Sequence, residues 1–473
     1  MTKLQSERID ESLSIRNGHL FVEECDASDL AHRFGTPLYV VSEDQLRRNI
    51  RRFRRAFAER WPEGRVNVLA SAKANFTLAL LGILAQEGAG CDAFGPGELH
   101  AALQAGIPAE SISVNGSTKS RGLIDLALRS GARITLDSRA ETNLVREVAR
   151  SLGVRAKVRF RVRPNYEGLE GPSDFYEEPT PIRLAAQHYK PGIPTEDLLG
   201  LGPEALVASE LDVTGVMVHL GRHSQDLAVW RGMVHSLVSL IAELSRAWAG
   251  WEPREIDLGG GFAVPRDPTG RANVRGQNRP RSAPPLEAYA DVLVDTVRRE
   301  LDRFGLHSKG KTLEVEPGRS LFADAGVHLA TVQGLKSQTA PVPWAWVETD
   351  TSEMFLLDTI LERNRWPLVV AQNADRPPVR SADVVGISCG FDVIHPQANL
   401  PDIRIGDVLA FLDTGAYQEA CANNFNALPR PAVLLVHGAE AEIVKRAETI
   451  EDVFRRDIVP VRLRPTSSPE ATR

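Results

Sequence analysis

Lys73 stands at the end of an apolar run, "LASAKAN", directly before a helix-like stretch, "TLALLGILAQEG". A lysine amine in a desolvated pocket has a lowered pKa and attacks carbonyl groups. Further along, Gly259, Gly260 and Gly261 lie in succession. Backbone N–H groups of such a turn can cradle a phosphate. Arg319 can hold phosphate oxygens with two parallel bonds, and Glu316, three residues before it, can keep a ring nitrogen protonated. His219 is a flat imidazole able to stack on an aromatic ring. A partner for an amine, a phosphate site, a ring nitrogen and a stacking face meet in one small molecule, pyridoxal 5′-phosphate (PLP). A lysine-dependent aldolase, which needs no cofactor, would use Lys73 and leave the other groups unexplained.

These residues need a frame that brings them together. From residue 43 the chain alternates short apolar runs with amphipathic stretches, opening on "EDQLRRNIRRFRRAFAERW". That arginine-rich helix could suit an acidic partner; a solvated helix face is the simpler reading. The apolar runs are "VNVLASAK", "GCDAF", "ISVNG", "RITLDS", "KVRFRVRP", "GVMVHLG", "EIDLGGG" and "TLEVEPGR", most followed by a helical pattern and the fifth by a long polar loop. Eight such units over about 250 residues predict a (β/α)8 barrel, with an open doubly wound sheet as the alternative. The C-terminal ends of the runs carry Lys73, Asp92, Asn115, Asp137, Arg163, His219, Gly259 to Gly261 and Glu316. Singly, each has an ordinary explanation: a surface lysine, aspartates capping helices, a core histidine, a structural ion pair, a tight turn. Their shared position is what those explanations leave out, because barrel enzymes keep their active sites at that end.

After residue 325 the runs become short and β-rich: "GVHLATVQGLKS", "WAWVETD", "PLVVAQN", "ADVVGIS", "DVLAFLDTGAY" and "AVLLVHG". They predict a C-terminal all-β domain. "HLFVEECD" and "PLYVVSED", before the barrel, read the same way and are expected to join it. The expected division is N-terminal strands over 1–43, barrel over 44–325, β domain over 326–463 and a flexible tail over 464–473. The chain has 473 residues and a net charge of −6, which gives no support to nucleic-acid binding. Cys25, Cys91, Cys389 and Cys421 are too scattered for a disulfide framework or a zinc site, so no metal is expected. The N-terminus lacks the apolar core of a signal peptide, and no run approaches 18 apolar residues. A cytoplasmic protein without a membrane partner is expected.

The motifs, in this order, resemble the fold-type III PLP-dependent decarboxylases, the diaminopimelate and ornithine decarboxylase group with its alanine racemase-like barrel. "AKAN" resembles the family's Schiff-base lysine motif. "GCDAFGPGEL", "NGSTKS", "LDSRAE", "HLGRHSQ", "DLGGGF", "EPGRSLFADAG", "GDVLAFLDTGAYQ" and "NNFNALPRP" are similar to further family stretches. The resemblance implies that Lys73 bonds to the cofactor, that His219 stacks on its ring and that Glu316 meets the pyridine nitrogen. It implies a phosphate site of Gly259, Gly260, Gly261, Gly318, Arg319 and Tyr417, with Ser224 from a loop two residues longer than usual. Asp92 matches an acid near the lysine. Cys389 matches a proton donor supplied by a neighbouring subunit, which implies a homodimer with shared active sites. The motif around it reads "SCGFD", so Gly390 replaces an acid, and Asp392 becomes a candidate substrate reader beside Arg163.

Where diaminopimelate decarboxylases carry an Arg-Pro pair and a tyrosine, this chain has Leu356, Leu357 and Asp358. Decarboxylation of an amino acid other than diaminopimelate is therefore expected. A racemase or epimerase, and a non-catalytic regulator, are the alternatives. Glu316 speaks against an alanine-racemase-like mechanism, and retention of Lys73, His219, Glu316 and Arg319 speaks against a regulator. Two loops could have rebuilt specificity: residues 263–285, with five arginines, and the acidic stretch "NYEGLEGPSDFYEEPTP". Together they resemble the Y4yA-like branch of the family.

Overall fold

All eight expected barrel strands form: Val66–Ser71, Gly90–Ala93, Ile112–Val114, Arg133–Leu136, Ala156–Arg163, Leu211–Met217, Glu255–Asp257 and Thr312–Val315. The structure, a computed structural model, describes residues 6–8, 11–166, 169, 172–173, 180–219, 221, 225–264, 283–362 and 365–464. Each strand pairs in parallel with the next, and the eighth pairs with the first. The ring is closed, so the open doubly wound sheet is excluded. Alternation along the strands sorts their side chains. Ile112, Val114, Ile134, Leu136, Val158 and Phe160 join the apolar layer shared with the outer helices. Between them Ser113, Thr135 and Arg159 hydrogen-bond to one another inside the ring.

The helix that leads into the barrel, Glu43–Ala58, begins at Ser42, whose hydroxyl accepts from the backbone N–H of Gln45. It buries Leu46, Ile50, Phe53 and Phe57. Its arginines find partners within the chain: Arg47 and Arg51 pair with Glu87, and Arg52 with Glu287. The stretch after the fifth strand is not all loop, since it contains helices Ile182–His188 and Thr195–Val207. Gly200, Gly202 and Pro203 hide the second helix from a propensity reading. Gly202 is required there, because a Cβ would lie 1.9 Å from the Trp248 ring. Helix Leu227–Ala247 has the length and hydropathy to cross a membrane. In this fold its Trp230, Met233, Val234, Leu237 and Ile241 are buried in the barrel's outer layer.

Beyond residue 325 the long strand Gly326–Gln338 organises a nine-stranded sheet. It pairs antiparallel with Trp344–Thr349, Val408–Leu412 and Leu38–Ser42. Leu38–Ser42 also pairs in parallel with Ala432–His437, so this early segment lies within the late sheet. "HLFVEECD" behaves differently. It belongs to a separate four-stranded antiparallel sheet, which joins the β domain through its buried Leu13, Leu20 and Val22. Two strands, Val393–Leu400 and Glu440–Lys445, carry weak sequence signals. The first contains Pro396, and the second is a half-exposed, charged edge strand with no buried residue. The tail from residue 465 lies outside the described residues.

Candidate active site

Lys73 sits on a single helical turn, Ala72–Ala74, just past the first barrel strand. Its Nζ donates to Ser71 Oγ at 2.5 Å and to Asp92 Oδ2 at 3.0 Å, and it lies 4.5 Å above the centre of the Phe94 ring. Asp92 is fully buried, whereas the Lys73 side chain keeps 39% of its surface exposed. The amine therefore faces an open mouth, with its counter-charge below it. This corrects the expectation of a lowered pKa. Burial does pull the ammonium down, but the Asp92 carboxylate, with Tyr417 and Glu316 behind it, outweighs burial and holds it above its ordinary value. Asp92 in turn stays low despite its burial, through Lys73 and the donors Ser71 and Asn115.

From Asp92 the hydrogen bonds continue into the barrel. Asn115 Nδ2 donates to Asp92 Oδ1 at 2.6 Å and to Glu316 Oε1 at 2.7 Å. Glu316 Oε1 also accepts from Arg159 Nη2 at 3.0 Å. Burial raises the Glu316 pKa well above the ordinary carboxylate range, Asp257 and Asp92 push the same way, and Arg159 and Lys73 oppose them. His219 stands at the end of the sixth strand. The Gly260 N–H donates to its Nδ1 at 3.0 Å, which fixes that nitrogen as an acceptor. Burial lowers the His219 pKa to about 3, reinforced by the Arg161 and Lys73 charges, so the ring is neutral.

The expected phosphate residues gather beside this chain. Gly259 has φ +70° and Gly261 φ +101°. A Cβ at Gly259 would come within 2.5 Å of the Val218 carbonyl oxygen, and one at Gly260 within 2.1 Å of the Glu316 carbonyl oxygen. Only glycine fits this turn. Arg319 is buried; its Nη2 donates to Asp358 Oδ2 at 2.5 Å, while its Nε and Nη1 have no hydrogen-bond partner among the described residues. Two buried, unanswered guanidinium donors suit an anion. Tyr417 reaches over from the β domain: its ring lies 4.7 Å from the Arg319 guanidinium, and its hydroxyl is 3.1 Å from where a Cβ on Gly318 would stand. Tyr417 holds the left-handed φ of +68°, and its N–H donates to the Ala74 carbonyl oxygen at 2.7 Å. The Asn75 side chain donates to the Gly415 carbonyl oxygen at 3.0 Å. The lysine turn is thus tied directly to the β domain.

Other expected residues are placed differently. Asp137 accepts from the Gly192 N–H at 2.8 Å and caps no helix; Ser138 does that. Arg163 donates to the carbonyl oxygens of Tyr189 and Pro191 and so holds a loop. Asp392 is buried, and its carboxylate accepts from the N–H groups of Glu353 and Ser388, both at 2.6 Å, and from Ser352 Oγ at 3.2 Å. Its oxygens fasten a turn in which Asp392 itself has φ +45°, rather than facing a ligand. Cys389 is exposed on the same turn; Asn426 Nδ2 donates to its Sγ at 3.3 Å, outside the hydrogen-bonded chain around Lys73. Ser224, most of the arginine-rich loop and most of the acidic loop lie outside the described residues.

Sequence reasoning missed Phe94, Arg159, Asp257, Glu314 and Gln418, and it noted Asp358 only as a departure from a family motif, not as a partner of Arg319. For Arg159 a signal existed: in "KVRFRVRP" the arginines at 159, 161 and 163 share one face of a strand.

Comparison with known proteins agrees with this site. Residues 43–323 match the pyridoxal-binding domain of the pyridoxal-dependent decarboxylase family. The diaminopimelate decarboxylase of Methanocaldococcus jannaschii is 30% identical over 460 residues, covering 96% of this chain and 98% of the relative. That of Pseudomonas aeruginosa is 31% identical over 447 residues, covering 94% of this chain and 98% of the relative. A crystal structure of the M. jannaschii enzyme aligns with a TM-score of 0.85 at 28% identity over 96% of this chain and 99% of that one. These relatives give no support to excluding diaminopimelate as the substrate. The chain belongs to the pyridoxal-dependent decarboxylase family, and it is a PLP-dependent amino-acid carboxy-lyase.

Proposed function

We propose that Lys73, Asp92, His219, Gly259, Gly260, Gly261, Glu316, Gly318, Arg319 and Tyr417 hold PLP, joined by Ser224, and that the enzyme removes the α-carboxylate of an amino acid there. One observation carries this reading: an unbroken hydrogen-bond path, Lys73–Asp92–Asn115–Glu316, beside a buried arginine with two unanswered donors. When bound, PLP supplies the electron sink for the electrons left by departing CO2. The chain's own residues do the rest. Asp92 and Ser71 fix Lys73 Nζ and give its proton a place to go. Neutral His219 offers a flat face without adding charge. Glu316 provides the carboxylate for the ring nitrogen, and Arg319 with the glycine turn anchors the phosphate. Cys389 of a second copy returns the proton to carbon, so the working unit is a homodimer; a cytoplasmic location is part of the same reading.

Diaminopimelate is the first substrate to test, because the relatives named above act under that name. A second reading, a substrate whose far end is not a carboxylate, rests on the family resemblance alone: it implies an Arg-Pro pair and a tyrosine where this chain has Leu356, Leu357 and Asp358, and the Asp358 carboxylate is taken up by Arg319 and Gln418. The test has two arms. Purified protein given PLP should show the cofactor's visible band, lost in Lys73→Ala together with at least about a thousandfold of activity. CO2 release and α-proton exchange, measured over a panel of amino acids that includes diaminopimelate, then separate decarboxylation from racemisation and rank substrates. A protein with no cofactor band, or one that exchanges the α-proton without releasing CO2, overturns the reading.

A further inference from the structure

Below Glu316 the barrel interior is charged to its floor. Arg159 has no exposed surface and uses every face of its guanidinium. Nε donates to Thr135 Oγ1 at 2.8 Å, Nη2 to Ser113 Oγ at 2.9 Å and to Glu316 Oε1 at 3.0 Å. Nη1 lies 2.5 Å from both Asp257 Oδ2 and Glu314 Oε2. Arg133 continues the network, reaching Glu314 at 2.6 Å and Glu255 at 2.8 Å. Five carboxylates (Asp92, Glu255, Asp257, Glu314 and Glu316) thus lie in this network or beside it with Lys73, Arg133 and Arg159, and Arg161 is buried on the same strand face as Arg159. Such a cluster prefers to take up a proton, and the acids most exposed to that preference are Asp257 and Glu316, both of which burial drives upward. A protonated Glu316 would be a neutral acid and could not balance a protonated ring nitrogen. Among the described residues Arg159 is the one arginine within bonding reach of Glu316.

We propose that Arg159 is a positioning residue for the decarboxylation: its buried guanidinium, bonded directly to Glu316, favours the charged form that Asp92 and Asp257 disfavour and keeps the group turned toward the cofactor's ring nitrogen. This rests on the PLP reading above. The groups facing Glu316 are Asn115 and Arg159, which bond to it, and Asp92, Asp257 and Lys73, which act through charge. Of these, Arg159 alone combines a positive charge with a direct bond. Its ties to Thr135 and Ser113 stop it from following the other carboxylates away.

A purely structural Arg159 would only neutralise Asp257 and Glu314, so the test must read the ring nitrogen itself. Holoenzyme is prepared with PLP labelled with 15N at the ring, and the nitrogen shift is followed from about pH 6 to 9. Because Arg159→Met alone takes a counter-charge from three buried acids, Asp257, Glu314 and Glu316, Arg159→Met/Glu314→Met removes a cation and an anion together; Arg159→Gln is the second variant. Either neutral variant should lose the ring proton at a pH lower by about one unit or more. It should lose on the order of tenfold or more in kcat, with KM and cofactor affinity within about threefold. Arg159→Lys, which keeps the charge, should recover most of both effects. A neutral variant that binds PLP and titrates like the wild type, losing only thermal stability, overturns this inference and leaves the PLP reading standing. A wild-type protein that binds no PLP overturns both.

Discussion

Inside the barrel the side chains that face one another are Arg133, Arg159, Asp257, Glu314 and Glu316; in the core of the β domain they are Val332, Val347, Val384, Leu409 and Phe411. The second arrangement stabilises directly, at about 1.5–3 kcal/mol for each large apolar side chain buried. The first does not: each buried ion costs about several kcal/mol to desolvate, and pairing offsets that cost only when geometry is good. The barrel can carry this burden because its outer layer is apolar, from Ile112 to Phe160 and the helices around them. Its interior is therefore free to set charge at the mouth. The β domain buries ionisable groups singly rather than as a network around its apolar core: His328, for example, is fully buried, bonded through Nε2 to Thr351 Oγ1 at 2.7 Å and with no partner for Nδ1 among the described residues.

Three experiments can break or sharpen this contrast. The largest effect is expected for Phe411→Ala, which should cost about 3–5 kcal/mol in urea unfolding yet leave the spectrum of bound PLP unchanged. An altered spectrum would mean that the two interiors are not separate. Tyr417→Phe should come next. It removes one hydroxyl beside Gly318 and Arg319, so it should weaken PLP binding by about tenfold, the value of one hydrogen bond to a charged group, without moving Tm; unchanged affinity would remove Tyr417 from the phosphate site. The smallest effect concerns pH. Burial lowers the His328 pKa to about 3. In the unfolded chain its imidazole takes a proton below about 6.5, and in the folded chain it does not. The folded state is therefore favoured by this group above about pH 6.5 and loses that advantage as pH falls toward 3. His328→Asn should lose less Tm than the wild type between about pH 7 and 5; equal losses would show that His328 titrates freely.

The sequence disclosed the frame and most of the mouth, for a physical reason. A parallel barrel strand is an apolar run ending in a polar residue, and that pattern is local. Lys73, Asp92, His219 and Glu316 could be read from it. The charge state of Lys73 could not, because its counter-ion arrives from another strand and opposes burial. Arg159 was hidden for a related reason: an arginine alternating with Val158 and Phe160 looks like the wet face of a strand until the ring closes over it. Asp392 misled in the opposite direction. Its place in a recognisable motif suggested contact with a ligand, whereas its left-handed turn draws the carboxylate onto nearby backbone N–H groups. Helix Thr195–Val207 escaped because Gly200, Gly202 and Pro203 are poor helix formers that only the packing against Trp248 makes sense of.

The seam between the two bodies is a place where backbone nearly touches backbone. A Cβ at Gly415 would sit 2.0 Å from the Phe322 carbonyl oxygen, and one at Gly326 would sit 2.3 Å from the Gly415 Cα. With the 415–417 loop also laced to Ala74 and Asn75, there is no slack for rocking one body on the other. Even a methyl group at position 415 would act as a wedge, prising Tyr417 from the lysine turn. Variation in this enzyme is therefore free to accumulate at the outer edge of the sheet, while the join itself has room for nothing larger than hydrogen.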